Sequence, residues 1–463
     1  LFAKAGGRIT MNGGEISGNK WVWCGGAMTL EENSQFVMNG GKICNNSVRY
    51  MGGAIYATHD PSYTDTDYNS GEPLVNGAQV TINDGIISDN TAENYGGAIA
   101  MMSYTDFWMH GGEITKNRVE GDAAGVSGGA IFCSGKTFEI TGGRISNNSV
   151  ITTNKYSTGE GGAIVFDTDP LYDSCFLSAL DAKISGNTII SDNSAGEGGA
   201  IYSSRSSGYL ENYSDKLVTL TISDNVQFLQ NKALDEHNPD ALYVGIGGAL
   251  DLEYVTLTLE DEVVIKGNTA TYYGGGLTCG SCKVLIKDRV QITDNTSYSF
   301  GGALMFSEMD YILGPDGTPM EAEPVIIQDD VQICRNVSQQ GGGIYFDDLA
   351  VELSGNVKVQ DNTAITGAGI CIGATNLFEP AEKAKLTIND NVLISENHSV
   401  FQADIIHRLP QENAADTATL SRGMFSVSST ENIENADRTG WLRTAAVYCR
   451  TQRENLPCFY GKR

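Results

Sequence analysis

Short alternating runs of apolar and polar residues recur along the chain, separated by glycine, asparagine and aspartate. The stretch from Gly274 displays the unit: Gly-Gly-Leu-Thr-Cys, then Lys-Val-Leu-Ile-Lys, then Val-Gln-Ile-Thr-Asp-Asn. Period-two alternation over short runs bounded by turn formers predicts strands. No segment sustains a 3.6-residue period with caps, so the repeat is not helical.

Two tetrapeptides mark the unit. The first appears as Gly25-Gly26-Ala27-Met28, Gly52-Gly53-Ala54-Ile55, Gly96-Gly97-Ala98-Ile99 and Gly128-Gly129-Ala130-Ile131. It continues at Gly161, Gly198, Gly247, Gly274, Gly301 and Gly341, and in altered form at Gly367-Ala368-Gly369-Ile370. The second sets an aliphatic residue three places before Asn, as in Ile16 and Asn19, Ile87 and Asn90, Ile145 and Asn148, Ile292 and Asn295, or Ile394 and Asn397. The tightest spacings, 26 and 27 residues, hold three short strands and three turns. Such a coil cannot bury its own apolar face and must stack on copies of itself, which makes an all-β parallel β-helix.

Turn chemistry agrees. Early coils turn through Asn12-Gly13-Gly14, Asn39-Gly40-Gly41 and Thr141-Gly142-Gly143; later ones use Asp288, Asp329 and Asp390. These residue types tolerate left-handed backbone, so one conformation is expected at both. The recurrent Asn should stack into a side-chain ladder whose amides satisfy backbone groups freed by the bend. His110 aligns with Asn12, Asn39 and Asn83 and reads as a turn residue.

The Gly-Gly-Ala-Ile and Ile-x-x-Asn motifs resemble the repeats of polymorphic outer-membrane-protein and autotransporter passengers. They are also similar to right-handed β-helix repeats of large surface proteins in gut Firmicutes, as in Phe36-Val-Met-Asn-Gly-Gly-Lys-Ile43. The resemblance covers roughly residues 6–400. It implies a right-handed, single-stranded, pectin-lyase-like solenoid of about 12 coils, secreted or surface-anchored, with an adhesive role.

The chain has 463 residues, 55 of them Gly, and a net charge of -27. Hydrophobic residues at 41% allow a long core. The acidity argues against a nucleic-acid partner. No apolar run is long enough for a membrane helix, so no membrane insertion is expected within this chain. Leu1 already lies in a repeat, which reads as a fragment or processed product. Residues 1–407 are expected to be the β-helix and 408–463 a cap or linker, where the repeat stops and Phe425, Ile433, Trp441, Leu442 and Val447 help close the stack.

Unequal insertions, mostly after the Gly-Gly-Ala-Ile strand, should gather on one side of the rod. They carry Tyr63, Tyr68, Tyr172, Tyr209 and Tyr311, rigid amphipathic contacts for a ligand. Trp108 aligns with Val37 and Thr81, should face outward, and can stack on a sugar ring. Asp65, Asp67 and Asn69 place oxygen ligands at alternate positions, so calcium is the one cofactor suggested. The loop departs from an EF-hand at Ser70 and Asn76. No other cofactor is expected. The lone pair Cys279 and Cys282 is at most half a zinc site, and Cys133, Cys279 and Cys371 read as buried thiols. Cys449 and Cys458 are the best disulfide candidates.

No catalytic residue is assigned. Counting from the first Gly of each motif, the seventh residues should face outward, and their acids Glu31, Asp167, Glu253 and Asp347 lie two to four coils apart. That is about 10–20 Å, too far for a glycosidase pair. Asp60, Asp169, Asp310 or Asp348 could close the gap. The expected function is adhesion to a host or microbial glycan or surface protein, or a rigid stalk, outside a bacterial cell. A polysaccharide hydrolase or lyase and a rod that self-associates end to end are the alternatives.

Overall fold

The computed structural model describes residues 1–4, 6–59, 77–123, 125–154, 157–167, 180–204, 218–234, 245–308, 323–373, 384–399, 405–407 and 425–427. They form a right-handed parallel β-helix without a helical element. Each coil returns in parallel register onto the next. Met28–Leu30, Ile55–Ala57 and Ile99–Met101 pair in sequence, and so on up to Ile405–His407, giving a first sheet of 13 strands. At one strand spacing of about 4.8 Å per coil, the stack is roughly 60 Å long.

Most of the described coils carry a fourth strand segment beyond the three expected. After the Asn comes a further piece such as Thr91–Ala92, Ser194–Ala195 or Thr269–Ala270, stacked into a nine-stranded sheet. Two residues are too few to show alternation, which is why the pattern hides them. In the first coils the second and third segments fuse: Arg8–Ser17, Gln35–Cys44 and Gln79–Ser88 run unbroken around the corner.

The interior is a set of aligned apolar columns. Ile55, Ile99, Ile131, Ile164 and Ile201 stack one above another, all fully buried. Phe107 and Phe138 do the same with rings 5.0 Å apart, and Phe166, on the first sheet, meets Phe138 edge-on across the core, also at 5.0 Å. Each such side chain stabilises the stack by about 1.5–3 kcal/mol. Cys133 and Cys279 point into this core as free thiols, and Cys371 is buried and packed on Met305 and Tyr345.

The two glycines of the motif do different work. The first is left-handed, φ 65° at Gly52 and 56° at Gly198. The second has no room for a Cβ: one on Gly199 would lie 2.2 Å from the Gly248 carbonyl oxygen in the next coil. The Asn ladder runs from Asn19 to Asn397. The side-chain amide of Asn90 donates to Asn117 Oδ1 at 2.9 Å and to the Ile43 carbonyl at 3.1 Å, and its backbone N–H reaches the same Oδ1 at 3.0 Å. The residue before each Asn is left-handed, as at Asp89, Lys116, Asn147 and Asp192. The Ile carbonyl of one coil is met by the Asn amide of the next, as Ile87 is by Asn117 at 2.9 Å.

The other turn departs from expectation. Early and late coils do not share one conformation there. In the early form the third turn residue is left-handed, at Gly14, Gly85, Gly112 and Gly143. In the later form the second is, at Gly186, Asp224, Asp288, Asp329 and Asp390. The later turn is one residue longer and tucks an extra Val into the core, such as Val226, Val290 or Val331. On the early turns Asn39 donates to Asn12 and Asn83 to Asn39, and His110 Nδ1 lies 2.9 Å from Thr141 Oγ1. His110 is a turn residue.

Phe425 lies in a strand, Phe425–Val427, that pairs parallel with Leu386–Ile388. Ile433, Trp441, Leu442, Val447, Cys449 and Cys458 lie outside the described residues.

Candidate functional site

The outward side of the first sheet is not the plain solvated face that the seventh-position column suggested. Met102 and Asp347, both in that column, are buried. Large residues at two other positions, the one before each Gly-Gly and the fifth of each motif, pack over the sheet as a second layer. In the early coils this layer holds Met51, Tyr95, Ala100, Phe132 and Val165; later it holds Met305, Tyr345 and Cys371, with Tyr273 and Phe300 against them. Within it Tyr95 tilts against Phe132 at 4.9 Å, and beside its start Trp23 stacks on Tyr50 at 5.4 Å. Farther on, Tyr273 meets Phe300 at 5.3 Å, and Phe300 meets Tyr345 at 4.7 Å.

Between these two aromatic runs the same positions turn acidic. The residue before Gly-Gly forms a continuous ladder of parallel bridges, Tyr95 to Ser127 to Glu160 to Glu197 to Ile246 to Tyr273. Glu160 and Glu197 are therefore bridge partners in successive coils, with backbones about 4.8 Å apart. The fifth-position column places Tyr202 beside Asp251, and Asp251 beside Thr278. Glu253 follows two residues after Asp251 on the same strand, Leu250–Glu253. Glu160, Glu197 and Glu253 keep part of their surface in solvent, whereas Asp251 and Tyr202 are buried.

Crowding carboxylates in poor contact with water favours the proton-bound form. Burial pushes Glu197 up to about 7, the charge of Glu253 adds to this, and a hydrogen bond with Thr158 opposes it. Burial holds Glu160 and Asp251 well above the usual carboxylate range, with Glu197 the first charge to reinforce each. Burial alone raises Glu253. The Tyr202 phenol stays protonated for the same reasons, burial first and then Glu160. A carboxyl group that keeps its proton in this way can both donate and accept a hydrogen bond.

Cys282 borders the cluster. Its thiol is half-buried and donates to the Leu252 carbonyl at 3.3 Å. Cys282 and Cys279 are both free thiols, and among the described residues no three His, Cys, Asp or Glu are arranged to hold a metal ion.

The sequence singled out Asp167 and Glu253 in this region but neither Glu160, Glu197 nor Asp251. The signal was present: the residue before Gly-Gly is aromatic, aliphatic or small in most coils and Glu in two consecutive ones. Trp108 does face outward, half-exposed, but on the second sheet, in register with Thr81 and Glu139. Tyr63, Tyr68, Tyr172, Tyr209 and Tyr311 lie outside the described residues, as do Asp60, Asp65, Asp67, Asn69, Asp169 and Asp310.

Residues 187–204 match the family model of the Chlamydia polymorphic membrane protein (Chlamydia_PMP) repeat. This stretch contains one copy of each tetrapeptide, Ile190 to Asn193 and Gly198 to Ile201, together with Glu197 and Tyr202. No curated protein and no solved structure matches the chain. This short match and the stacked parallel sheets fit a β-helix of the kind found in surface proteins, and they support a cell-surface or secreted location in general terms.

Proposed function

We propose that this chain is a ligand-binding segment of an extracellular bacterial surface protein, and that it holds a carbohydrate against the outer strip of its first sheet. One observation carries the reading: Glu160, Glu197, Asp251, Glu253 and Tyr202 gather on one side of the rod, between two runs of packed aromatic rings. A sugar ring presents neighbouring hydroxyls, which pair with groups that both donate and accept. Its apolar face suits an aromatic neighbour. Adhesion follows if the sugar belongs to another cell's surface. Screening the intact chain on a glycan array tests this. Specific binding that Glu197→Gln weakens supports the reading, and no binding to any glycan overturns it.

A second reading has its own support. A carboxyl that holds its proton near pH 7 is suited to general-acid work, and Glu197 is such a group. Its bridge partner Glu160 sits one coil away, with a backbone spacing of about 4.8 Å, and a retaining glycosidase needs its two carboxyl groups about 5–5.5 Å apart. Release of reducing sugar from an array-positive polysaccharide, abolished in Glu197→Gln and in Glu160→Gln, would replace the binder with a hydrolase.

A further inference from the structure

One corner in the middle of the rod sets two sulfur atoms against each other. Cys279 is the third residue of the strand Leu277–Gly280 and faces the core, in register with Leu252 of the preceding coil and Phe306 of the following one. The chain then turns toward the strand Lys283–Ile286. Ser281 takes left-handed backbone in this turn, φ 49°. The bend interrupts the alternation of the strand, and the next side chain comes back inward. Cys282 therefore packs against the same core as Cys279. Its sulfur lies 3.3 Å from the Leu252 carbonyl oxygen and 3.4 Å from that of Gly280, and it accepts from the Val255 N–H at 3.4 Å. The two thiols hydrogen-bond to each other.

Equivalent corners are filled with carbon. Val255 and Leu349 take the place of Cys282 in two other coils, and Leu252 and Phe346 take that of Cys279, all of them buried. Packing alone is met by such residues and does not call for paired sulfurs. Cys133 supplies the contrast. It occupies the core position of Cys279 in its own coil, but the residue at its corner is the exposed Lys136.

We propose that Cys279 and Cys282 form a dithiol that closes to a disulfide across this corner, with a small-molecule disulfide as the oxidant. The thiolate of Cys282, the less buried of the two, attacks one sulfur of the oxidant and releases a thiolate. That thiolate takes the Cys279 proton. Cys279 then attacks the Cys282 sulfur, and the second half of the oxidant leaves and is protonated from water. The two protein thiols give up two electrons and two protons, and the oxidant becomes two thiols. Burial, and then the hydrogen bond with Cys282, hold the Cys279 thiol well above its usual range, so Cys279 acts second. Such a link persists in the oxidising conditions outside a cell. The proposal is independent of the carbohydrate reading above.

The test equilibrates the intact chain with graded ratios of reduced to oxidised glutathione, then alkylates and digests it with trypsin. Peptide 267–283 holds Cys279 and Cys282 and no other cysteine, and peptide 119–136 holds Cys133 alone. In the folded chain peptide 267–283 should become lighter by two hydrogens and resist alkylation. Closure should need about one-tenth of the oxidised glutathione that the same peptide needs when free, because the fold already holds the sulfurs together. Cys133 should remain alkylatable throughout. Cys279→Ser should trap glutathione on Cys282, whereas Cys282→Ser should leave the buried Cys279 unmodified. The comparison of chain with free peptide stands even if neither variant folds. Closure no easier in the folded chain than in the free peptide overturns the proposal. So does glutathione on Cys282 beside an alkylatable Cys279 in the unsubstituted chain.

Discussion

Asn268 donates its side-chain amide to Asn295 Oδ1, one coil further on, at 3.0 Å, and its backbone N–H to the same oxygen, also at 3.0 Å. The other amide hydrogen goes to the Phe228 carbonyl in the preceding coil. One side chain thus binds three successive coils.

Asn268→Ala should therefore cost far more than an average core hydrogen bond. It strands the Phe228 carbonyl and both donors of Asn231. Loss of about 3 kcal/mol or more is expected, read as a lowered urea midpoint. Asn356→Ala, on an exposed turn, should change the midpoint little.

The second glycine of the motif gives a sharper contrast. Gly199→Ala forces a Cβ to 2.2 Å from a backbone oxygen that the next coil fixes. About 3 kcal/mol of destabilisation is expected. At Gly13 a Cβ meets nothing within 4 Å, and Gly13→Ala should stay within about 0.5 kcal/mol. Thermal unfolding of the two variants checks the pair.

Asp192 is exposed and left-handed, φ 58°. Asp192→Gly should be near neutral. Asp192→Ala should cost about 1 kcal/mol through backbone strain alone, measured as the difference in denaturant midpoint between the two.

The carboxyl cluster fixes a direction of pH dependence. The folded values of Glu160, Glu197, Asp251 and Glu253 are raised above their unfolded ones. The folded state then binds more protons, and stability falls as pH rises. The contribution is complete below about pH 4. It is lost as pH climbs through the folded value, which for Glu197 is about 7. A melting temperature that drops between pH 5 and pH 8 is expected, with the drop reduced in Glu197→Gln. An increase over that range would contradict the assignment.

The stack was legible because its marks are the residues that geometry forbids replacing. Gly-Gly answers to a left-handed turn and a close carbonyl, and Asn to a buried ladder, so both repeat wherever the coil does. Thr91–Ala92 escaped notice because a two-residue strand carries no period. The turns at Gly143 and Asp288 look equivalent by composition, yet a single extra residue with an inward Val separates them. The carboxyl cluster was missed for another reason. Asp251 and Glu197 belong to different columns of the repeat, and only the stacking brings those columns side by side. Reading the seventh column alone left its acids too far apart.

The Asn ladder also has a sense. From Asn19 to Asn397 every amide hydrogen given along the ladder points to the following coil, never back. The side-chain dipoles therefore add head to tail, with their positive end toward the last coil, and each bond polarises the next. A rung such as Asn231, which accepts from Asn193 and donates to Asn268, is strengthened from both sides. Longer rods of this kind should be held together more tightly per coil than short ones, and the two ends of the rod are electrically unlike.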